Sequence, residues 1–440
     1  MLLALVAAAC SLPVGALAQA GSLGAPELGS AAGMQSLRGT SQADRGLRSG
    51  EFILTPSFGL DLHFDTNVFN GNEKEQGNAP KSATSLRLSP RLGLSNGADS
   101  DIQFAFNAVG DARAYISDNE AVGELTNFGG SADLGVTFFR RRALSLTISD
   151  NFARTLQANN WETTETLNRV GNALGARIAF HPGEIPERRP LEIALGGSYV
   201  VDRFDDFTSG DSSTIRSRLS GSWRFLPMTA VLLDARWDFR GYDSPSGAGL
   251  TADSTPWRVS AGLAGAITQS ISFRATAGWG MSLHDTTNEA STFSGYIADI
   301  GLLYRPSTLT MLSIGYVHDF QDSFYGNFYE YHRAVANLQQ GFGSIMTATA
   351  WFSFNYATFG EFSNLPAGVL ITQRERRDYM LRGGLRASFD VSRLIGINVG
   401  YRFRGVITNF QVQADDAAAR ILDAGAYTAH ELFAGAVIRY

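Results

Sequence analysis

The chain is almost free of cysteine and lysine. Cys10 is the sole cysteine in 440 residues, and it lies in an apolar N-terminal segment. Removal of that segment leaves no thiol, which excludes a disulfide framework and a thiolate metal site. Histidines are few: His63, His181, His284, His318, His332 and His430 form no HExxH and no His/Cys cluster. No metal and no cofactor is therefore expected, although His318 and His332 flank one loop near which they would meet. No spacing selects a Ser/His/Asp hydrolase. Glycine-rich pieces such as GSLGAPELG precede no strand–helix unit, so they are not phosphate loops. The chain is not expected to be an enzyme, and nucleic acid is not an expected partner. Long apolar runs are missing as well. Past the N-terminus none approaches the roughly 18 residues that span a bilayer as a helix, and the mean hydropathy is −0.06.

What is present begins with MLLALVAAACSLPVGALAQA at residues 1–20. An apolar stretch leads to Ala16 and Ala18, the small-residue pattern of a signal-peptidase site, and predicts a signal peptide over 1–18. It lacks a positive n-region, so the natural start is open; Ala7-Ala8-Ala9-Cys10 offers a weaker, lipoprotein-like alternative. Residues 19–50 are rich in Gly, Ser and Ala and cannot form a core. They read as a flexible periplasmic lead or a plug that folds inside something else.

From residue 51 to 440 the hydrophobic period is two. Val231, Leu233, Ala235, Trp237 and Phe239 alternate with Asp234, Arg236, Asp238 and Arg240; Ile395, Ile397, Val399, Tyr401 and Phe403 alternate with Asn398, Arg402 and Arg404. Successive strand side chains point to opposite faces, so each segment has one apolar and one polar face. About eighteen such segments are legible. They start near Phe52, Ser82, Asp101, Asn127, Ala143, Thr166, Leu191, Ser212, Thr229, Pro256, Ile271, Phe293, Thr308, Phe328, Ile345, Arg376, Ile395 and Ala426. Near Thr308 and Phe328 both faces mix polar and apolar residues. A soluble β-sandwich also alternates, but these strands exceed the ~5–6 residues usual in globular sheets. Connections alternate long and short, as in a transmembrane barrel. Aromatics mark two levels: Phe138, Phe180, Phe225, Tyr304, Phe389 and Tyr440 at one, and Phe64, Trp237, Phe239, Trp257, Trp279, Phe293, Tyr379 and Tyr401 at the other. The expected fold is all-β: a transmembrane antiparallel up-and-down barrel in the bacterial outer membrane, lipid around it, both termini periplasmic. The alternating end ELFAGAVIRY would then be the closing strand, since a barrel tolerates no free edge. Leu432, Ile438 and Tyr440 resemble the signal that the barrel assembly machinery reads.

The polar face is rich in arginine. Arg87, Arg91, Arg113, Arg177, Arg216, Arg218, Arg236, Arg240, Arg274, Arg382, Arg386, Arg402 and Arg404, with Asp133, Asp234, Asp238 and Asp299, are the expected pore lining. Either these charges pair across strands and knit the wall, or an excess of guanidinium faces the lumen and favours polyanions or acidic sugars. Eighteen strands about 4.8 Å apart and tilted about 40° enclose a backbone diameter of roughly 35 Å. No connection is long enough to fold in as a large constriction, so something else must narrow the bore: inward loops, the 19–50 lead, or a partner.

The segment FGLDLHFDTNVFN, residues 58–70, resembles the opening strand of the beta-barrel porin-2 family, in which an aromatic-ended strand runs into an Asp-x-Asn-Val-Phe turn. Asp65, Asn67, Val68 and Phe69 match; Thr66 stands where acidic residues or Ser are common. LRLSPRLGL, residues 86–94, is similar to that family's second strand. The resemblance implies a porin. Because members of similar length are often linked to capsule or exopolysaccharide export, it also implies a passive conduit for polysaccharide secretion, working with periplasmic polysaccharide-export proteins. It carries no substrate-binding motif. The alternatives are a general or small-solute uptake porin, expected to have a narrow eyelet, and a structural or adhesive barrel with a plugged lumen.

Overall fold

In a computed structural model, eighteen long strands pair with their neighbours in chain order, all antiparallel, and the last pairs with the first. The structure describes residues 46–440 apart from 73–78, 97–99, 159–166, 183–189, 206–207, 244–251, 286–291, 324–327, 361–369, 372–374, 411 and 414–424. The expected signal peptide, most of the lead and much of the connection HPGEIPERRP, residues 181–190, fall outside the described residues. The strands are β1 (Phe52–Asp65), β2 (Ala83–Asn96), β3 (Gln103–Ile116), β4 (Asn127–Phe138), β5 (Leu144–Ala158) and β6 (Leu167–Phe180). Next come β7 (Leu191–Phe204), β8 (Ser212–Leu226), β9 (Thr229–Tyr242), β10 (Ser254–Ala266), β11 (Ile271–His284) and β12 (Phe293–Tyr304). The chain closes with β13 (Thr310–Asp322), β14 (Phe328–Phe342), β15 (Met346–Phe359), β16 (Arg377–Asp390), β17 (Ile395–Thr408) and β18 (Tyr427–Arg439). Every expected start lies within two residues of an observed one.

The apolar residues of each strand point outward. Leu60, Leu62, Leu174, Leu195, Leu219, Leu233, Leu385 and Leu432 are all exposed on the outer wall, where a water-soluble sheet would bury them. Trp237, Phe239 and Trp279 form part of an outward aromatic band near the long connections, called here the upper end; Phe180, Phe225 and Tyr440 do so at the lower end. Phe293 corrects the expectation. It is 4% exposed and turned inward, packed on Phe320 and Phe328. A second exception is Asp150, on the outward face between Ile148 and Phe152 and opposite Leu134 and Leu174. Its carboxylate accepts a 2.9 Å bond from Asn172 Nδ2, itself on that face.

Closure is built from side chains as well as ladder. Asn67 is fully buried: its Nδ2 donates to the carbonyls of Gly71 and Thr428 at 2.9 and 3.0 Å, and its Oδ1 accepts from the Gly71 amide. Thr66 and His430 exchange two more bonds across the same seam. Asp65 accepts from the Asn67 amide and from Arg404 of β17. The Asp-Thr-Asn turn thereby ties β1 to β18 at the upper end. At the lower end the Tyr440 amide donates to the Pro56 carbonyl. Below it Leu47–Ser49, at the end of the expected lead, turns through Gly50 at φ +63° and pairs with Phe52–Leu54. Both described termini therefore lie at the lower end.

Leu233 is exposed on the outer wall, and Ser220 faces inward opposite Asp234. If the outer wall meets hydrocarbon, Leu233→Arg is expected to cost about 2–4 kcal/mol near mid-bilayer, and Ser220→Arg far less. Urea unfolding of lipid-reconstituted protein measures both; equal losses would invert the assigned faces. Asn67→Ala leaves buried backbone groups unpartnered and is expected to cost about 1–3 kcal/mol. The same titration reads it, with an unchanged midpoint removing Asn67 from the closure.

Candidate functional site

The lumen is lined by the inward residues of every strand. All seventeen charged residues expected to line a pore lie on this face by register, including Asp133 opposite Asn107 and Asn151, and Arg382 opposite Arg404. Like charges stand opposite one another at several places. Arg87 faces Arg113, and Arg218 faces Arg236. Such pairs repel, and each is relieved by an acid beside it. Asp111 takes two bonds from Arg87, at 2.6 and 2.8 Å, and two from Arg113, at 3.2 and 3.0 Å. Asp234 binds Arg218 at 2.6 Å; Asp238 binds Arg236 and, at 3.4 Å, Arg216. Arg177 reaches Glu192, and Arg402 reaches Glu431, which also meets His63. Wall-knitting thus accounts for most of the charges of the upper and middle lumen, and the Arg177–Glu192 and Arg439–Asp390 pairs carry it to the lower end.

The lower third differs. Arg91 is exposed to the lumen, and the charges acting on it are Arg87, Asp61 and Arg439. Among the described residues Arg386 binds no carboxylate; its Nη2 donates to Asn398 Oδ1 at 2.7 Å, and Asn398 Nδ2 passes the bond on to Asp61 at 2.8 Å. Gly435 makes room for this relay, since a Cβ there would stand 1.9 Å from Asp61 Oδ1. Arg274 has its Nε unpartnered, with Asp299 on the neighbouring strand. Guanidinium is therefore left partly uncompensated toward the short connections.

Among the described residues, strands narrow the upper third. The ladder between β12 and β13 stops at Ala298 opposite His318. Beyond it the tip of β13 and β14 leans into the barrel. Phe320 lies on the ring of Phe293 at 4.3 Å and over Gly280 of β11, where a Cβ would be 2.4 Å from its ring. Arg258 of β10 donates to Asp319 at 2.9 Å and to the Phe320 carbonyl at 2.6 Å, and stacks 3.9 Å from the Phe320 ring. Asp322 accepts from Ser254 and Ser282 and lies 3.6 Å from Arg240 of β9. A strand that meets inward side chains four places around the wall must run inside it. On its other flank Tyr329 and Tyr331 pack with Ala357, Phe359, Met380 and Val406 of β15 to β17.

Sequence reading missed Arg258, Asp319 and Asp322. Their signal was the mixed faces near Thr308 and Phe328: a hairpin buried on the wall side and lining the bore on the other cannot show one apolar and one polar face. His318 and His332 do meet, opposite each other on β13 and β14, with Glu330 beside them. Leu432, Ile438 and Tyr440 all point outward.

No protein-family model matches the chain, so the porin-2 resemblance stands on its own residues. No curated protein matches it either. Solved structures do. The outer membrane protein OpdK from Pseudomonas aeruginosa is 10% identical over 88% of this chain and 99% of that one, with a TM-score of 0.46. OccAB3 of Acinetobacter baumannii is 14% identical over the same shares, also at 0.46. Pseudomonas aeruginosa OccK2 (OpdF), solved with glucuronate, is 11% identical over 88% and 98%, at 0.44. Likeness at this level carries nothing about activity.

The two charge environments are separable by experiment. Neutralising Arg91 and Arg386 together is expected to weaken anion selectivity, read as the reversal potential in a planar bilayer under a salt gradient. Replacing the Arg218–Asp234 pair with serines removes equal and opposite charges and is expected to leave that potential unchanged. Salt should mask the first effect, as the screening length falls from about 10 Å at 0.1 M to about 3 Å at 1 M. Equal effects from both variants would contradict the lower-lumen charge excess.

Proposed function

We propose that this chain is an outer-membrane diffusion channel for small polar solutes, with a preference for anions. The apolar outer wall between two aromatic bands supports the membrane setting, and the charged lumen supports an aqueous path. In this reading the N-terminal segment exports the chain, both termini are periplasmic, and the barrel assembly machinery recognises Leu432, Ile438 and Tyr440.

The single observation that favours small solutes over a secreted polymer is the inward hairpin. Bracketed from Arg240 and Arg258 on one side to Met380 and Val406 on the other, it leans into the upper lumen and is tied by ion pairs and apolar packing. A polymer conduit, with or without periplasmic export proteins, needs an open bore. A solute channel needs an eyelet, and here the eyelet carries charges at hydrogen-bonding distance. A plugged adhesive barrel is disfavoured by the uncompensated lower arginines, which have no role in a sealed lumen.

Liposome swelling with sugars of graded size tests this. The intact protein is expected to admit mono- and disaccharides and to exclude larger oligosaccharides. Arg258→Ala combined with Asp319→Ala loosens the hairpin and is expected to raise the size limit and the single-channel conductance. Passage of long oligosaccharides through the unaltered channel would return the polymer conduit to first place.

A further inference from the structure

The outward side of the same hairpin holds a cluster that permeation does not use. His318 and His332 stand directly opposite on β13 and β14, and Glu330 lies two residues before His332. Their donor atoms all lie within 4.8 Å of one another. His318 Nε2 is 2.5 Å from Glu330 Oε1. The two imidazoles stack at 4.3 Å and 19°, and Tyr296 covers the far side of His318 at 4.1 Å. His318 is 1% exposed, and its Nδ1 has no partner. The Glu330 side chain is one-third open to solvent.

We propose that His318, His332 and Glu330 form a binding site for a first-row divalent cation, zinc foremost. Two imidazoles and one carboxylate are the donor set that zinc takes in open sites, at roughly 2.0–2.2 Å, and imidazole also suits copper and nickel. Joint ligation would require a χ2 rotation of the stacked rings that turns both Nε2 atoms toward the carboxylate, from donor atoms that already lie within 4.8 Å of one another. Tyr316 supports the site: its hydroxyl oxygen lies 2.8 Å from His332 Nδ1, and in the tautomer that places the proton on that nitrogen Nε2 keeps a free lone pair. Metal-ligating histidines are held by such outer hydrogen bonds. The plain alternative is a ring belt with one His–Glu bond. That bond accounts for His318, and the Tyr316 bond for His332 Nδ1, but neither uses His332 Nε2, which is hydrogen-bonded to none of the described residues. Glu330 opens to solvent, which supplies an entry path and water for the fourth position. The ion would clamp the two strands that carry the eyelet, from outside the bore.

The test uses the untagged full chain folded in detergent. Equilibrium dialysis against micromolar zinc, followed by elemental analysis, is expected to find one ion per chain. Cobalt in its place is expected to give the visible absorption of a four-coordinate site, and magnesium and calcium are expected not to compete. His332→Gln and Glu330→Gln should lose the ion while keeping heat-modifiable migration on a gel. His430→Ala, which changes another outward histidine beside Tyr401, should keep it. No zinc on the intact chain, or the same zinc on His332→Gln, would overturn the site. Neither result touches the permeation reading, whose tests read solute passage.

Discussion

The fold depends on one demand: in hydrocarbon no backbone donor or acceptor can be left without a partner. An open sheet of any size fails at its two edges. Pairing β1 with β18 removes both edges, and the rest follows from that closure. It requires an even alternation of connections, brings the first and last strands together, and gives every strand an outer and an inner face. The Asp65–Thr66–Asn67 turn shows how much chemistry is spent on the seam. One buried amide side chain there holds the carbonyls of both its own turn and the last strand.

The same demand explains why so much was legible in the sequence. A wall between lipid and water must write its faces into every second residue, and Leu233 beside Asp234 needs no neighbour to be read. Strand starts and faces were recovered across the barrel for this reason. The pattern says which side a residue takes, however, and not whether the strand stays in the wall. Phe293 was placed with the aromatic band because its level is right; only the inward path of Phe320, set by Gly280 and Arg258 on other strands, shows that it packs inside. Asp150 was invisible for the opposite reason. One polar residue in an otherwise regular outward row does not disturb the period, and its partner Asn172 lies on the next strand.

The lumen reconciles two readings of the arginines that sequence left open. Where guanidinium groups face one another, an acid such as Asp111 or Asp238 joins them, and the wall is knitted as well as polar. Where no acid is bound directly, as at Arg91 and Arg386 with Asp61 only nearby, the field of the lumen is set. The charges thus divide labour, structural where a carboxylate is paired and electrostatic where it is not, although the residue type is the same.

The short ladder between β12 and β13 has a consequence for how the wall comes apart. Elsewhere neighbouring strands share most of their length; here the pairing ends at Ala298, halfway along β12. The upper half of that suture is held by rings, Phe293 on Phe320 within and Tyr296 on His318 without, in place of amide bonds. Dispersion contacts are individually weak and yield one at a time, whereas a ladder resists as a unit. When the barrel is heated or pulled, its first tear should run down this line, and the eyelet should be lost with the suture while the opposite wall still stands.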